Sequence, residues 1–227
     1  MSKHESDPQA PVIAVDGPSG SGKGTLAGAI AARLGWHLLD SGALYRIVGW
    51  AAHERGIDFA AQSTLAELAA QLNIEFTREG IFVDGDAVDV AIRSEGAGLA
   101  ASRVAAHPGV RKALNDVQLN RRQLPGLVAD GRDMGTVVFP DAALKIFLVA
   151  SAQERAKRRQ IQLEQRGVPA EYTQLLVAIQ SRDERDRTRA VSPLVPAADA
   201  VVMDSTNLTI NEVIEQAMEL VESRLSS

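Results

Sequence analysis

Residues 12–31 read VIAVDGPSGSGKGTLAGAIA, three closely spaced glycines and a lysine set between an apolar run and an alanine-rich stretch. Val12 to Val15 has the β-branched content of a buried strand, and Thr25 to Leu34 has helical character, so the glycines lie at a strand-to-helix turn. Gly17, Gly20 and Gly22 remove Cβ atoms where several backbone N–H groups must turn inward on one anion, and the helix behind them adds its positive N-terminal end. Lys23 supplies a full charge. This spacing, G-x-x-x-x-G-K, is that of a phosphate-binding loop whose lysine reaches the β and γ phosphates of a nucleotide.

The position after the lysine departs from the general pattern. Where such loops usually carry Ser or Thr, this chain has Gly24, with Thr25 one place later. G-K-G-T resembles the loop of nucleoside monophosphate kinases. The departure weakens the usual assignment of a direct Mg²⁺ ligand to this position. It points instead to a metal held mainly through phosphates and waters, which suits an ion that gives up water reluctantly.

Four further short apolar segments resemble the first: HLLD at 37–40, LVAD at 127–130, KIFLVA at 145–150 and AVVMD at 200–204. Helical stretches separate most of them. The alternation predicts an α/β fold, a five-stranded parallel sheet covered by helices on both faces. Asp40, Asp130 and Asp204 close three of the segments, and ligands of open α/β sheets gather at the carboxyl ends of strands. Capping boxes mark helix starts at Thr64 with Glu67, Ser151 with Glu154 and Thr209 with Glu212, the last opening a C-terminal helix to about Leu225.

The gap between the second and third of these strands is too long for a simple crossover. Inside it, IEFTREGIFVDGDAV at 74–88 alternates and turns like a small antiparallel hairpin, with Glu79-Gly80 and Asp84-Gly85-Asp86 as turn signals. Residues of about 62–107 are expected to form a separate, inserted α+β lobe. Residues 11–61 and 108–227 then form the core domain, and 1–10 a loose tail.

Length and composition narrow the function classes. At 227 residues the chain can bury one substantial core with a small inserted lobe. No stretch approaches the roughly 18 uninterrupted apolar residues of a membrane span, and MSKHESDPQAP lacks the apolar centre of a signal peptide. Cysteine is absent, which excludes a disulfide framework, thiol catalysis and Cys-ligated zinc and makes a cytoplasmic setting the expectation. His4, His37, His53 and His107 show no metal-ligand spacing. Trp36 and Trp50 are expected to pack rather than stack on a base. The net charge of −5 argues against a general nucleic-acid binder, yet residues 155–189 carry +4 against −9 over the rest. A local cationic stretch on an acidic protein suits a small polyanionic ligand better than a long one.

Two stretches that follow short apolar strands carry more information, LLDSGALYR at 38–46 and ADGRDMGTVVFPDA at 129–142. Together with the loop and with RDERDRTRAVSPL at 182–194, they make the chain resemble the bacterial cytidylate kinase family from about Pro11 to the C-terminal helix. The resemblance implies ATP-dependent phosphorylation of CMP and dCMP to CDP and dCDP by direct phosphoryl transfer, with Mg²⁺ as cofactor and arginines stabilising charge. It also implies a monomer with an enlarged monophosphate-binding lobe and a short helical lid at about 155–168. ATP and CMP or dCMP are the expected partners, with no nucleic acid polymer and no membrane. Elementary chemistry agrees. The acceptor of such a transfer is already an ionised phosphate oxygen, so the protein must supply cations and exclude water rather than provide a strong base.

Residue by residue, the resemblance implies that Gly17, Pro18, Ser19, Gly20, Ser21, Gly22, Lys23, Gly24 and Thr25 cradle the ATP phosphates. Ser41, Tyr45, Arg46 and Arg132 line the monophosphate side, with Arg46 and Arg132 on its phosphate. Ser102, Arg111 and Asp133 match positions that read cytosine. Arg182 and Asp186 match positions that hold the ribose, and Arg189 is expected to approach the phosphates. Lys23, Arg132, Arg155, Arg159 and Arg189 form the expected catalytic set, and Arg158 joins the ATP side. Asp130 resembles the carboxylate that holds a Mg²⁺-bound water. Asp16 is a weaker candidate, because an acid just before the loop can serve only to orient backbone amides.

Bland readings stand beside these. Arg182 and Asp186, at i and i+4 on a helix, either act as a unit on a ligand or form only a surface ion pair. Arg155, Arg158 and Arg159 either reach the same phosphates or belong to a solvated charged helix, and the sequence does not rank them. Another small-metabolite kinase, for UMP or shikimate, would share the loop but not the base-reading set. A GTPase-type switch is disfavoured, because no Asn is followed by Lys and the guanine-reading N-K-x-D is missing.

Overall fold

In the computed structural model, residues 9–77, 79–165 and 167–225 are described. The chain runs through β1 (Val12–Asp16), α1 (Lys23–Leu34), β2 (His37–Asp40), α2 (Ser41–Glu54) and α3 (Gln62–Gln71). Three short strands follow, β3 (Ile74–Phe76), β4 (Ile81–Val83) and β5 (Asp86–Ala87), then α4 (Glu95–Val104) and α5 (Pro108–Leu119). The remainder is β6 (Leu127–Gly131), β7 (Leu144–Val149), α6 (Ala152–Glu164), α7 (Tyr172–Thr188), β8 (Val201–Asp204) and α8 (Ile210–Leu225).

Strands β2, β6, β1, β7 and β8 lie side by side in that order, every neighbouring pair parallel. This is the expected five-stranded sheet. The pleat divides its side chains between two cores. Val12, Ala14, Leu127 and Ala129 meet α2 and α5 on one face, while Ile13, Val15, Val128 and Ile146 meet α1 and α8 on the other. The chain leaves β1 for β2 on one side of the sheet and passes to β7 on the other, so strand order reverses at β1. Open α/β sheets form a crevice at the carboxyl end of such a switch point, and the loop at 17–22 sits there.

The segment expected as a hairpin is a three-stranded antiparallel sheet of β3, β4 and β5. Asp84 (φ 51°) and Gly85 (φ 93°) join β4 to β5, both in the positive-φ region that tight two-residue hairpin turns require. Val83, Val88 and Ile92 pack against Ala43 and Ile47 of α2. Leu65 and Leu68 of α3, with Ala101 and Val104 of α4, share the larger apolar cluster with α2 and α5. Residues 62–107 are thereby apolar neighbours of both flanking helices.

Of the three expected capping boxes, one forms in full and one in half. Ser151 Oγ accepts from the Glu154 N–H at 3.2 Å, but the Ser151 N–H donates to Thr206 Oγ1 at 3.0 Å and the Glu154 carboxylate takes Arg158 instead. Glu212 accepts from the Thr209 N–H at 2.8 Å, and Thr209 Oγ1 accepts in return from the Glu212 N–H at 3.3 Å. Thr64 and Glu67 do not open a helix. An Asx turn, in which the Asp58 carboxylate accepts from the Ala60 N–H at 2.9 Å, steers the chain so that α3 begins at Gln62, behind Ala61. Residues 1–8 of the expected tail lie outside the described residues. Ala10 is not loose, since it is buried and its carbonyl accepts from Arg122 Nε at 2.6 Å. No described helix is long and apolar enough to cross a membrane.

Candidate active site

The loop is shaped by what it cannot carry. A Cβ on Gly17 would lie 2.2 Å from the Leu148 carbonyl oxygen, so the chain can leave β1 this close to β7 only as glycine. Lys23 opens α1, and its ammonium lies 3.7 Å from Asp130 Oδ1 and 3.5 Å from the Pro18 carbonyl. The same carboxylate explains the unusual glycine after the lysine. A Cβ on Gly24 would stand 3.0 Å from Asp130 Oδ2, so a side chain there would crowd the acid at the end of β6. Burial, and then the charge of Arg132, lowers the Lys23 ammonium to about 8 against the pull of Asp130. Burial raises the Asp130 carboxyl although Lys23 opposes it.

Asp16, the last residue of β1, is buried and accepts from the N–H groups of Met134 and Gly135 at 2.9 and 2.8 Å. It holds the turn that follows β6, the one that presents Arg132 and Asp133. In this structure it orients those two backbone amides. Burial lifts its carboxyl to about 6 despite those two bonds.

Polar contacts form two clusters between the loop and the far side of the crevice. Arg182 on α7 donates to Ser19 Oγ at 3.1 Å and lies 4.0 Å from Asp186 Oδ2. Asp186 accepts from Arg132 Nε at 3.2 Å and from Ser102 Oγ of α4 at 3.3 Å. Arg189, whose field reaches Asp186, stands 4.0 Å from Asp133, and Asp133 accepts from Arg111 on α5. The Arg111 guanidinium lies 5.6 Å from the Tyr45 ring centroid. Asp186 and Asp133 are 5% and 2% exposed, so neither takes part in a surface ion pair. Arg46 on α2 donates to the Ile92 carbonyl at 3.0 Å, and its guanidinium flanks Gly98 beside that of Arg182. Ser41 is buried with its hydroxyl against Gly131, where a Cβ would lie 2.7 Å away.

The electrostatics show a site built for anions. Burial, followed by Arg132, lowers Arg182 to about 10, and burial with Arg111 lowers Arg189. Burial pushes Asp186 upward, but Arg132, Arg182 and Arg189 together carry it below the usual carboxylate range. Among the described residues, Arg182 Nε and Arg189 Nη2 are buried without a hydrogen-bond partner. Such N–H groups are costly unless a ligand satisfies them. No group of three or more His, Asp or Glu that could hold a metal occurs among the described residues.

The three arginines of α6 have different settings. Arg155 is 4% exposed and makes a two-point contact with Asp183 of α7, while also donating to the carbonyls of Ala150 at 2.9 Å and Ser19 at 3.0 Å. Arg158 bonds Glu154 at 3.0 Å and the Ser205 carbonyl at 2.6 Å. Arg159 donates to Gln162. Of the three, Arg155 is the most enclosed.

Sequence reasoning missed Asp183 and Ser205. Asp183 stands inside R-D-E-R-D-R, one turn before Asp186, and that spacing was a usable signal. Ser205 had none, since its partners are distant in the sequence.

A model of the family described as cytidylate kinase matches residues 13–223. The chain is 54% identical over 221 residues to a cytidylate kinase of Pseudomonas fluorescens (strain Pf0-1), covering 95% of this chain and 96% of that protein. It is 52% identical over 221 residues to cytidylate kinases of Escherichia coli O1:K1 / APEC and Shigella boydii serotype 18, in each case over 96% of this chain and 97% of the relative.

Proposed function

The chain belongs to the cytidylate kinase family and is a nucleoside monophosphate kinase, and on that footing we propose that it transfers the γ-phosphoryl group of ATP to CMP and dCMP. The observation that carries this reading is a pair of polar clusters in one crevice, Ser19, Arg182, Asp186, Arg132 and Ser102 at the phosphate-binding loop and the buried Asp133 with Arg111 and Arg189 beyond them. The ATP phosphates lie along Gly17 to Thr25, with Lys23 on the oxygens that gain charge. The monophosphate lies against Arg46 and Arg132, its ribose beside Arg182 and Asp186, and its base against Ser102, Arg111 and Asp133.

In the transfer, an oxygen of the CMP phosphate forms a bond to the γ phosphorus while the bond from that phosphorus to the β–γ bridging oxygen breaks. The electron pair stays on ADP. The acceptor is already ionised, so the protein moves no proton. Lys23, Arg132 and Arg189 meet the charge as it spreads, and the buried N–H groups of Arg182 and Arg189 gain partners. All three α6 arginines are engaged in this conformation, so closure of residues 155–168 exchanges some of their side-chain partners for phosphate oxygens. The segment 62–107 closes on the monophosphate as a unit.

The donor set fits Mg²⁺. Asp130, with Asp40 opposite it in the register of β2 against β6, faces the loop beside a residue with no side chain, and Mg²⁺ usually binds one or two carboxylates plus substrate phosphates and waters. Asp130 would hold it through water. When bound, the ion draws charge from the phosphate oxygens.

Cytosine presents an N4 amino donor beside an N3 acceptor, whereas uracil presents an O4 acceptor beside an N3–H. Asp133 accepts from the first and repels the second, and Arg111 donates to N3 and O2 of cytosine. Asp133→Asn offers a donor as well as an acceptor. Measured kcat/KM for CMP and UMP should therefore converge in this variant, through weaker CMP use and partial relief for UMP. An unchanged ratio would show that Asp133 does not read the base.

A further inference from the structure

Ser205 follows β8 and is 2% exposed. Its N–H donates to the Val149 carbonyl at 2.8 Å. Its hydroxyl oxygen lies 3.1 Å from that carbonyl and 3.3 Å from the carbonyl of Ser21 in the loop. Arg158 reaches across from α6, with Nη1 3.3 Å from the hydroxyl and Nη2 2.6 Å from the Ser205 carbonyl. One buried side chain thus touches the end of β7, the loop and the helix that carries Arg155, Arg158 and Arg159.

A hydroxyl has one proton to donate. The Val149 and Ser21 carbonyls compete for it at 3.1 and 3.3 Å, and a proton given to Ser21 joins the loop to the end of β7 and leaves a lone pair for Arg158. The Ser21–Gly22 peptide is planar and trans, so a carbonyl fixed on Ser205 sends the Gly22 N–H the opposite way. Gly22 is the residue before α1, where the positive helix end faces an incoming anion.

We infer that Ser205 is a positioning residue of the triphosphate site: its hydroxyl fixes the Ser21–Gly22 peptide with the Gly22 N–H preset towards phosphate, and its contacts with Arg158 tie α6 to the loop. The inference rests on the reading that ATP phosphates occupy residues 17–25. It predicts an effect on phosphates whatever base they carry.

The test is calorimetric binding of inorganic tripolyphosphate, a non-hydrolysable ATP analogue and CMP to the wild type, Ser205→Ala, Ser205→Cys and Lys23→Ala. Ser205→Cys nearly keeps the volume, which protects the fold, but replaces the hydroxyl with a weak donor. Both Ser205 variants should bind tripolyphosphate and the ATP analogue about three- to tenfold more weakly, by the same factor for each, with CMP affinity unchanged. Wild-type affinity in both variants, a loss confined to the ATP analogue, or an equal loss for CMP would overturn the inference. If Lys23→Ala bound tripolyphosphate like the wild type, the phosphate reading of the loop would fail, and the inference with it. Binding lost in Lys23→Ala but kept in both Ser205 variants would remove the inference alone.

Discussion

At the scale of single residues, Lys23 is the group whose charge most depends on what the loop holds. Burial and the nearby Arg132 lower its ammonium from 10.5 to about 8, although Asp130 favours the charge. Between those values the folded chain binds fewer protons than the unfolded one, so this lysine's contribution to stability improves as pH rises from about 8 towards 10.5. Phosphate oxygens beside the ammonium reverse the balance and raise it again. Triphosphate binding above pH 8 must then take up a proton. Titrating a non-hydrolysable ATP analogue at about pH 8.5, in two buffers of different ionisation enthalpy, should show uptake that nearly vanishes at about pH 7 and is missing from Lys23→Ala. No uptake by the wild type at the higher pH would mean that Lys23 does not pair with the phosphates.

What the sequence revealed at this scale follows from distance along the chain. Lys23, Arg132, Asp133 and Arg182 sit in short patterns whose spacing is itself the signal. Asp16 was ambiguous because its partners, Met134 and Gly135, lie on another strand's exit, and only the register of β1 against β6 brings them together. Ser205 was illegible for the same reason, its hydroxyl meeting a carbonyl 184 residues away.

At the scale of elements, α6 and α7 act together because Arg155 and Asp183 join them, and Arg155 also grips the Ser19 carbonyl of the loop. A half-buried, charge-assisted, two-point contact of this kind holds its elements in one geometry. Opposite it, residues 62–107 lie against α2 and α5 and supply Ser102. We propose that each side ends in groups that one substrate alone does not satisfy, so closure should need both. In hydrogen exchange, a bisubstrate dinucleotide analogue should protect amides near 155–168 and in 62–107 beyond what ATP or CMP achieves singly. Amide exchange identical to that of the unliganded protein in either region would contradict coupled closure.

The elements themselves were largely legible. All five strands of the parallel sheet follow from apolar runs of four to six residues, and Asp84-Gly85 announced its turn through the positive φ that both residues adopt. The third small strand was not foreseen, because Asp86–Ala87 is too short to show alternation. The start of α3 was misplaced because the side chain that sets it, Asp58, lies before the helix and its capping pattern.

For the molecule as a whole, the sheet reverses its strand order at the point where the loop leaves β1, and the two arginine-bearing stretches at 129–142 and 182–194 meet there from different parts of the chain. The chain is acidic overall at −5, yet this crevice depresses the very cations that line it, as Lys23 and Arg182 show. In the proposed function, two nucleotides placed end to end complement such a field, with cytosine against Arg111 and Asp133. The most direct test of this account is ADP release measured with ATP alone and with ATP plus CMP, dCMP, UMP, AMP or GMP. ADP should form only when an acceptor is present, with kcat/KM for CMP above that for UMP by on the order of 10² to 10⁴, the product of two mismatched base contacts. Undiminished ADP release without any acceptor, or UMP used as well as CMP, would contradict it.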